Sequence, residues 1–153
     1  MTPAPAMVHQ RAVLRLLMLL TPYVDSIGLD IMGAPAAVTF SARREVQPDI
    51  LVMPKLGAKF AKTFKDVGEL TLAAEVLSPS TERVDRYKKR ALYQDEHVPE
   101  YWIVDTDARV IERWRPGSTA PEILSTTFLW KPLLLREAMM INLQHYFRTV
   151  HGD

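Results

Sequence analysis

A single carboxylate inside an apolar run restricts the folds that this chain can adopt. Glu75 lies near the end of Leu70–Leu77, whose length and apolar character predict a central β-strand. Burying a lone carboxylate in a sheet is costly unless the group is paired, protonated or bound to a metal ion. Two interpretations of Glu75 therefore stand side by side: an ion pair with an arginine of the following helix, or a ligand in a metal site.

A second acid opens another apolar strand. Asp49 follows Pro48 directly and begins the strand predicted over Asp49–Met53. Taken alone, an aspartate in this position is more often a turn residue than a ligand. If the two strands are neighbours, however, Asp49 and Glu75 converge, and converging carboxylates repel each other unless a cation lies between them. Because hard divalent cations such as Mg²⁺ choose oxygen ligands, the pair predicts a metal site.

The helix predicted over Glu82–Glu96 carries the densest basic run of the chain. Asp85, Lys89 and Tyr93 share one face of this helix, at positions i, i+4 and i+8. An ordinary surface ion pair between Asp85 and Lys89 would contribute only a few tenths of a kcal/mol. Alternatively, Lys89 reaches the acids and orients a water molecule or stabilises charge on a phosphate. The neighbouring cations are candidates for phosphate contacts, namely Arg83, Arg86, Lys88 and Arg90.

The order of the remaining elements predicts one α/β domain with a mixed sheet over residues 9–153, after a flexible tail at residues 1–8. The apolar spacing predicts a helix over His9–Val24, while Ser26–Gly33 is predicted to be a turn because of its two glycines. The segment Lys55–Lys65 contains four lysines and is predicted to be a solvated loop or lid. Further strands and a last helix are predicted over Ala36–Phe40, Glu100–Val104, Arg109–Arg115, Glu122–Leu124 and Leu143–Phe147.

Composition narrows the classes of function. The 153-residue chain has no cysteine, which excludes disulfides, zinc-thiolate sites and thiol nucleophiles and fits a cytoplasmic location. Its net charge of +1 provides no overall attraction to nucleic acid or membrane, so any nucleic-acid contact needs a local basic patch. The apolar run Leu14–Leu20 is too short to span a bilayer, which needs about 20 residues. No G-x-S-x-G motif supports a serine hydrolase, and the histidines lack metal-ligand spacing.

The motifs, taken in order, resemble the putative restriction endonuclease family of the PD-(D/E)XK nuclease superfamily. The resemblance extends from about His9 to the C-terminus, and it is carried by Pro48-Asp49, Glu75–Thr81, Asp85-Arg86 with Lys89 and Tyr93, and Val98–Asp105. It implies a restriction-endonuclease-like mixed β-sheet flanked by helices. It also implies Mg²⁺ or Mn²⁺ held by Asp49 and Glu75, together with a backbone carbonyl near Val76.

The resemblance also assigns roles to residues around the acids. In the superfamily a lysine commonly follows the second acid by two positions, where this chain has Leu77, and the family counterpart in the next helix is Lys89. Trp102 is interpreted as a core residue, whereas Asp85, Tyr93 and Asp105 are candidates for groups that support the ligands from behind.

Many superfamily members add an acid from the first helix, and His9 and Gln10 stand at that place here. The activity that the resemblance implies is metal-dependent hydrolysis of phosphodiester bonds in DNA. The alternative is a catalytically weak or inactive module that keeps the nuclease fold and binds nucleic acid or a protein partner, which the missing acid supports. A homodimer would suit a nuclease that cuts both strands. The apolar candidates for its interface, or for the core, are Trp114, Phe128, Trp130 and Leu133–Leu135.

Overall fold

The computed structural model describes residues 6–41, 44–78 and 83–153, without the side chains of residues 83–85. Within these residues the chain forms three α-helices, ten strands and a short 3-10 turn at Phe64–Asp66. The helices are α1 (Met7–Ser26), α2 (Arg83–Asp95) and α3 (Leu143–His151). The strands are β1 (Leu29–Gly33), β2 (Val38–Ser41), β3 (Arg44–Val46), β4 (Ile50–Pro54), β5 (Leu72–Val76), β6 (Glu100–Asp105), β7 (Val110–Trp114), β8 (Glu122–Leu124), β9 (Thr127–Trp130) and β10 (Met139–Asn142).

A six-stranded sheet in the order β1-β4-β5-β6-β7-β8 forms the centre of the fold. Strands β5 and β6 are parallel, and the other neighbouring pairs in this sheet are antiparallel. Parallel neighbours need a crossover connection, which α2 supplies between β5 and β6. The pairs β2–β3 and β9–β10 form two small separate sheets. The predicted mixed sheet flanked by helices is therefore confirmed.

The central strands bury side chains on both faces, which explains their nearly continuous apolar sequence. Helices α1 and α3 and the β9–β10 pair cover one face, where Trp102 and Trp130 are fully buried. Leu51 and Tyr93 belong to a second cluster on the opposite face. Trp102 is therefore a core residue, as predicted. None of the described helices is long and apolar enough to cross a membrane.

The apolar face of α1 differs slightly from the predicted one. Val13, Leu16, Leu17 and Leu20 have the expected helical spacing, but the fully buried positions are Ala12, Leu16, Leu20 and Val24. Val13 and Leu17 are only partly buried against the same core. The helix also begins at Met7, within the stretch that was predicted to be a tail.

The predicted turn at Ser26–Gly33 is wrong, because Leu29–Gly33 forms the edge strand β1 against β4. Of the two glycines in this segment, only Gly28 has the positive φ that favours glycine in a turn, at 78°. Gly33 serves close packing instead, since a Cβ added there would come within 2.9 Å of the Leu17 Cδ1 atom on α1. The sequence interpretation also missed β3, β9 and β10, whereas β8 lies where it was predicted.

The docking of α1 on the sheet can be tested with two leucines of the same helix. Leu16 is fully buried and Leu14 is 53% exposed. Leu16→Ala should lower the free energy of unfolding by about 2–5 kcal/mol, because it removes buried methyl groups and leaves a cavity. Leu14→Ala makes the same change in helix propensity at a largely exposed position and should cost about 0.5 kcal/mol or less. Urea denaturation measures both, and equal losses would contradict this packing.

Candidate active site

The pairing of β4 with β5 brings the two predicted acids together. Ile50 lies opposite Ala74 in this antiparallel pair, so continuing the register by one residue places Asp49 opposite Glu75. Directly opposed residues project to the same face of a sheet. The Oδ2 atom of Asp49 accepts a hydrogen bond of 2.8 Å from the backbone N–H of Val76, which fixes the aspartate beside the end of β5.

Both carboxylate oxygens of Glu75 have partners inside the fold. The Tyr101 hydroxyl donates to Oε2 at 2.6 Å, and the Lys89 Nζ atom donates to Oε1 at 3.1 Å. Glu75 is only 9% exposed, and this burial raises the pKa of its carboxyl group. The hydrogen bond from Tyr101 and the charge of Lys89 act against the rise, while the charge of Asp49 adds to it. The cation that pairs with Glu75 is thus a lysine of the following helix, not an arginine.

The basic residues around Lys89 do not all face the acid cleft. Arg86 lines the same cleft but forms an ion pair with Glu112 of β7. Lys88 is exposed to solvent, and the Arg90 Cζ atom lies 4.6 Å from the centre of the Trp114 ring. The side chains of two further candidates, Arg83 and Asp85, lie outside the described residues. Among the predicted phosphate contacts with a described side chain, only Arg86 reaches the cleft.

Tyr93 lies behind the acids, whereas Asp105 has a different position. Tyr93 is fully buried, with its ring centre 4.5 Å from that of Tyr101. Burial raises the pKa of the Tyr93 hydroxyl, and the charges of Glu75 and Asp49 raise it further. Asp105 ends β6 and accepts hydrogen bonds from the backbone N–H groups at positions 107 and 108. It shapes the turn before β7 and does not line the acid cleft.

His9, Gln47 and Tyr101 line the cleft but were not predicted to be catalytic or metal-binding residues. His9 on α1 places its Nε2 atom 3.5 Å from Asp49 Oδ2, and Gln47 lies beside the same acid. The family resemblance puts residue 9 at the place of an additional acid, although no periodicity in the sequence links it to residue 49. Tyr101 could have been found, because it pairs with Ala73 across parallel strands and therefore shares a face with Glu75. Two of these residues, His9 and Gln47, also line an adjoining cleft of about 600 Å³.

The acid cleft has a volume of about 470 Å³ and is lined by acids and cations together. Asp49 and Glu75 offer carboxylate oxygens, which are the donors that Mg²⁺ and Mn²⁺ select. In the part of the chain that the structure describes, no three histidine, aspartate or glutamate side chains form a group that could hold a metal ion. Mg²⁺ commonly takes one or two carboxylates and completes its shell with water and substrate phosphate. The donor set therefore fits such an ion.

Comparisons with known proteins agree with this architecture. Residues 1–143 match the family model described as "Uma2: Putative restriction endonuclease". The fold is similar to the crystal structure of a putative nuclease belonging to DUF820 from Anabaena variabilis, with a TM-score of 0.76 and 16% sequence identity. The similarity covers 97% of this chain and 84% of that chain. No curated protein matches the sequence. The predicted family resemblance is confirmed, and the structural likeness supports the fold.

The burial of Glu75 has a consequence for stability that can be measured. Because burial raises its pKa in the folded protein above the unfolded value, the carboxyl group favours folding at pH below the unfolded pKa. That contribution is lost as the pH rises through the folded pKa. Glu75→Gln cannot ionise, so its free energy of unfolding should fall less from acidic to neutral pH than that of the wild type.

Urea denaturation in the presence of EDTA measures this difference over a pH series. Glu137→Gln provides the matched control, because it makes the same substitution at an exposed glutamate. The control should follow the wild-type pH dependence. A Glu75→Gln series parallel to the wild type would contradict a raised pKa of Glu75.

Proposed function

Because the chain belongs to the putative restriction endonuclease family, whose model covers residues 1–143, we propose that it is a metal-dependent endonuclease acting on DNA. The observation that carries the proposal is the buried carboxylate of Glu75, with Asp49 across the strand register and the Lys89 ammonium 3.1 Å away. A buried acid whose pKa is raised, in a cleft shared with a cation, is typical of catalytic sites. Hydrolysis of a phosphodiester needs such an arrangement, because negative charge grows on the phosphate oxygens.

Each residue of the cleft has a distinct task in this proposal. Asp49, Glu75 and the backbone carbonyl of Val76 would hold Mg²⁺ or Mn²⁺. When bound, the ion supplies Lewis-acid polarisation of the phosphate and lowers the pKa of a coordinated water. The N–H of Val76 orients Asp49, and the Tyr101 hydroxyl orients Glu75. The Lys89 ammonium would position the attacking water or stabilise charge on the phosphate as the new P–O bond forms and the bond to the leaving oxygen breaks.

A second function is favoured by a different observation. Both oxygens of Glu75 are already satisfied by Tyr101 and Lys89, and no three-residue metal-ligand group occurs within the described residues. These observations fit a catalytically weak module that binds nucleic acid or a protein partner, because such a module needs no metal ion at Glu75. Metal binding separates the two proposals. If calorimetry detects no divalent cation while DNA is retained with a steep salt dependence, the binding module is the correct assignment.

We also propose a homodimer in the cytoplasm, as the absence of cysteine and the need to cut both strands suggest. Trp114, Phe128 and Trp130 are buried in the core and are not available for an interface. Leu134 and Leu135 are exposed, as are Leu129 and Met140, which are register partners on β9 and β10. Exposed apolar patches of this kind mark interaction surfaces. A monomer mass in light scattering would refute the dimer.

Substitutions in the cleft test the proposed activity on plasmid DNA with Mg²⁺ or Mn²⁺. Asp49→Asn, Glu75→Ala and Lys89→Ala should each slow cleavage by at least about 100-fold, because each removes a ligand or a charge aimed at the reacting phosphate. Lys88→Ala removes the same charge one residue away, at an exposed position, and should cleave at nearly the wild-type rate. If Asp49→Asn cleaves DNA as fast as the wild type, the proposed metal-dependent endonuclease site is wrong.

A further inference from the structure

The segment of residues 55–65, here called the lysine loop, begins with an ordered turn at the end of β4. The backbone groups of Leu56 and Lys59 exchange two hydrogen bonds, at 2.8 and 3.1 Å. Gly57 turns the chain between them with a positive φ of 63°, in open space. Residues 56–60 of the loop are therefore exposed to solvent with a defined local shape, whereas Phe64 packs against the core.

The lysine loop exposes apolar side chains among its cations. Phe60 is 57% exposed and Leu56 is 51% exposed, although such side chains are usually buried. The Lys55 Nζ atom lies 4.9 Å from the centre of the Phe60 ring, within the range of a cation–π contact. An accessible aromatic ring beside an ammonium offers a stacking surface for a nucleobase and a charge for its phosphate.

The positive charges of the lysine loop have no acidic partners in the described part of the chain. No ion pair there involves Lys55, Lys59, Lys62 or Lys65. The cations of the acid cleft differ in this respect, because Lys89 and Arg86 each pair with a glutamate. The lysine loop is thus complementary to a polyanion that comes from outside the chain.

The lysine loop and the acid cleft lie at opposite ends of one strand. Asp49 precedes β4, and Lys55 follows Pro54 at its other end. Lys55 is six residues after Asp49, so at about 3.3 Å per residue the extended strand separates the two by roughly 20 Å. A DNA strand advances about 3.4 Å per nucleotide, so the separation corresponds to roughly six base pairs.

We propose that the lysine loop is a second nucleic-acid contact, in which lysines bind backbone phosphates and the Phe60 ring inserts beside a base pair roughly six base pairs from the cleaved bond. This inference rests on the proposed function and extends it to how the substrate is held. Two exposed apolar side chains give too little area for stable insertion into a lipid surface, and the stacking arrangement favours nucleic acid.

Binding of the full chain to fluorescein-labelled DNA, followed by anisotropy over a salt series, tests the inference. The double variant Lys59→Gln/Lys62→Gln should bind a duplex of about 20 base pairs roughly tenfold more weakly, with a log–log salt slope shallower by about two. Phe60→Ala removes the inserted ring without removing charge, so it should weaken duplex binding by about fivefold or more and leave the slope unchanged. Lys131→Gln, at an exposed lysine outside the loop, should match the wild type.

Two further measurements keep the outcomes separate. Hydrolysis of bis(p-nitrophenyl) phosphate, which is too small to reach the lysine loop, should be unchanged in the loop variants and lost in Asp49→Asn. If Asp49→Asn has no effect while the loop variants still lose DNA affinity, the proposed function fails and the loop contact remains. Wild-type affinity and slope in the loop variants would overturn the loop contact. Loss of binding to phosphatidylserine vesicles without loss of DNA binding would also overturn it.

Discussion

Burial of the Glu75 carboxylate is the interaction on which the rest of the site depends. Glu75 is only 9% exposed within the central sheet, so its carboxylate loses most of its hydration. Hydrogen bonds and an opposite charge must compensate for that loss. The compensation comes from the two elements that follow β5, since α2 provides Lys89 and β6 provides Tyr101. One β–α–β unit therefore contains the acid, its hydrogen-bond donor and its counter-ion.

The position of the second acid, Asp49, depends on β4, the strand that pairs with β5 on the side opposite to β6. The antiparallel neighbour β4 begins at the edge where β5 ends, so Asp49 reaches the Val76 N–H and adds negative charge beside Glu75. The closeness of the acids is thus produced by sheet order, with β5 between a parallel and an antiparallel neighbour. A metal ion would relieve the repulsion between the acids. The Lys89 ammonium offsets the charge of Glu75 at 3.1 Å, and the His9 ring lies 3.5 Å from Asp49 on the other side.

Much of this arrangement could be predicted, because it rests on local pattern. The apolar strand around Glu75 and the placement of Lys89 on the following helix both follow from periodicity. The family resemblance places His9 near the site, but its contact with Asp49 depends on how α1 packs on the sheet, which local pattern does not determine. Strand β1 was predicted to be a turn because it contains Gly33. The glycine is there because Leu17 of α1 packs closely against β1, and a single sequence cannot distinguish a glycine required for close packing from one required for a turn.

The cations of the cleft are paired with glutamates, whereas those of the lysine loop have no ion-pair partner among the described residues. This difference affects the free energy of substrate binding. Any ligand that takes the Oε1 atom of Glu75 must compete with the ion pair to Lys89. Free energy gained where a long substrate touches the lysine loop can offset that competition, because binding energy from remote parts of a substrate can drive rearrangement at the reacting centre. A small phosphodiester lacks this contribution. If the lysine loop binds DNA as proposed, the chain would favour long polyanions over short ones, even though the proposed chemistry takes place at a single phosphate.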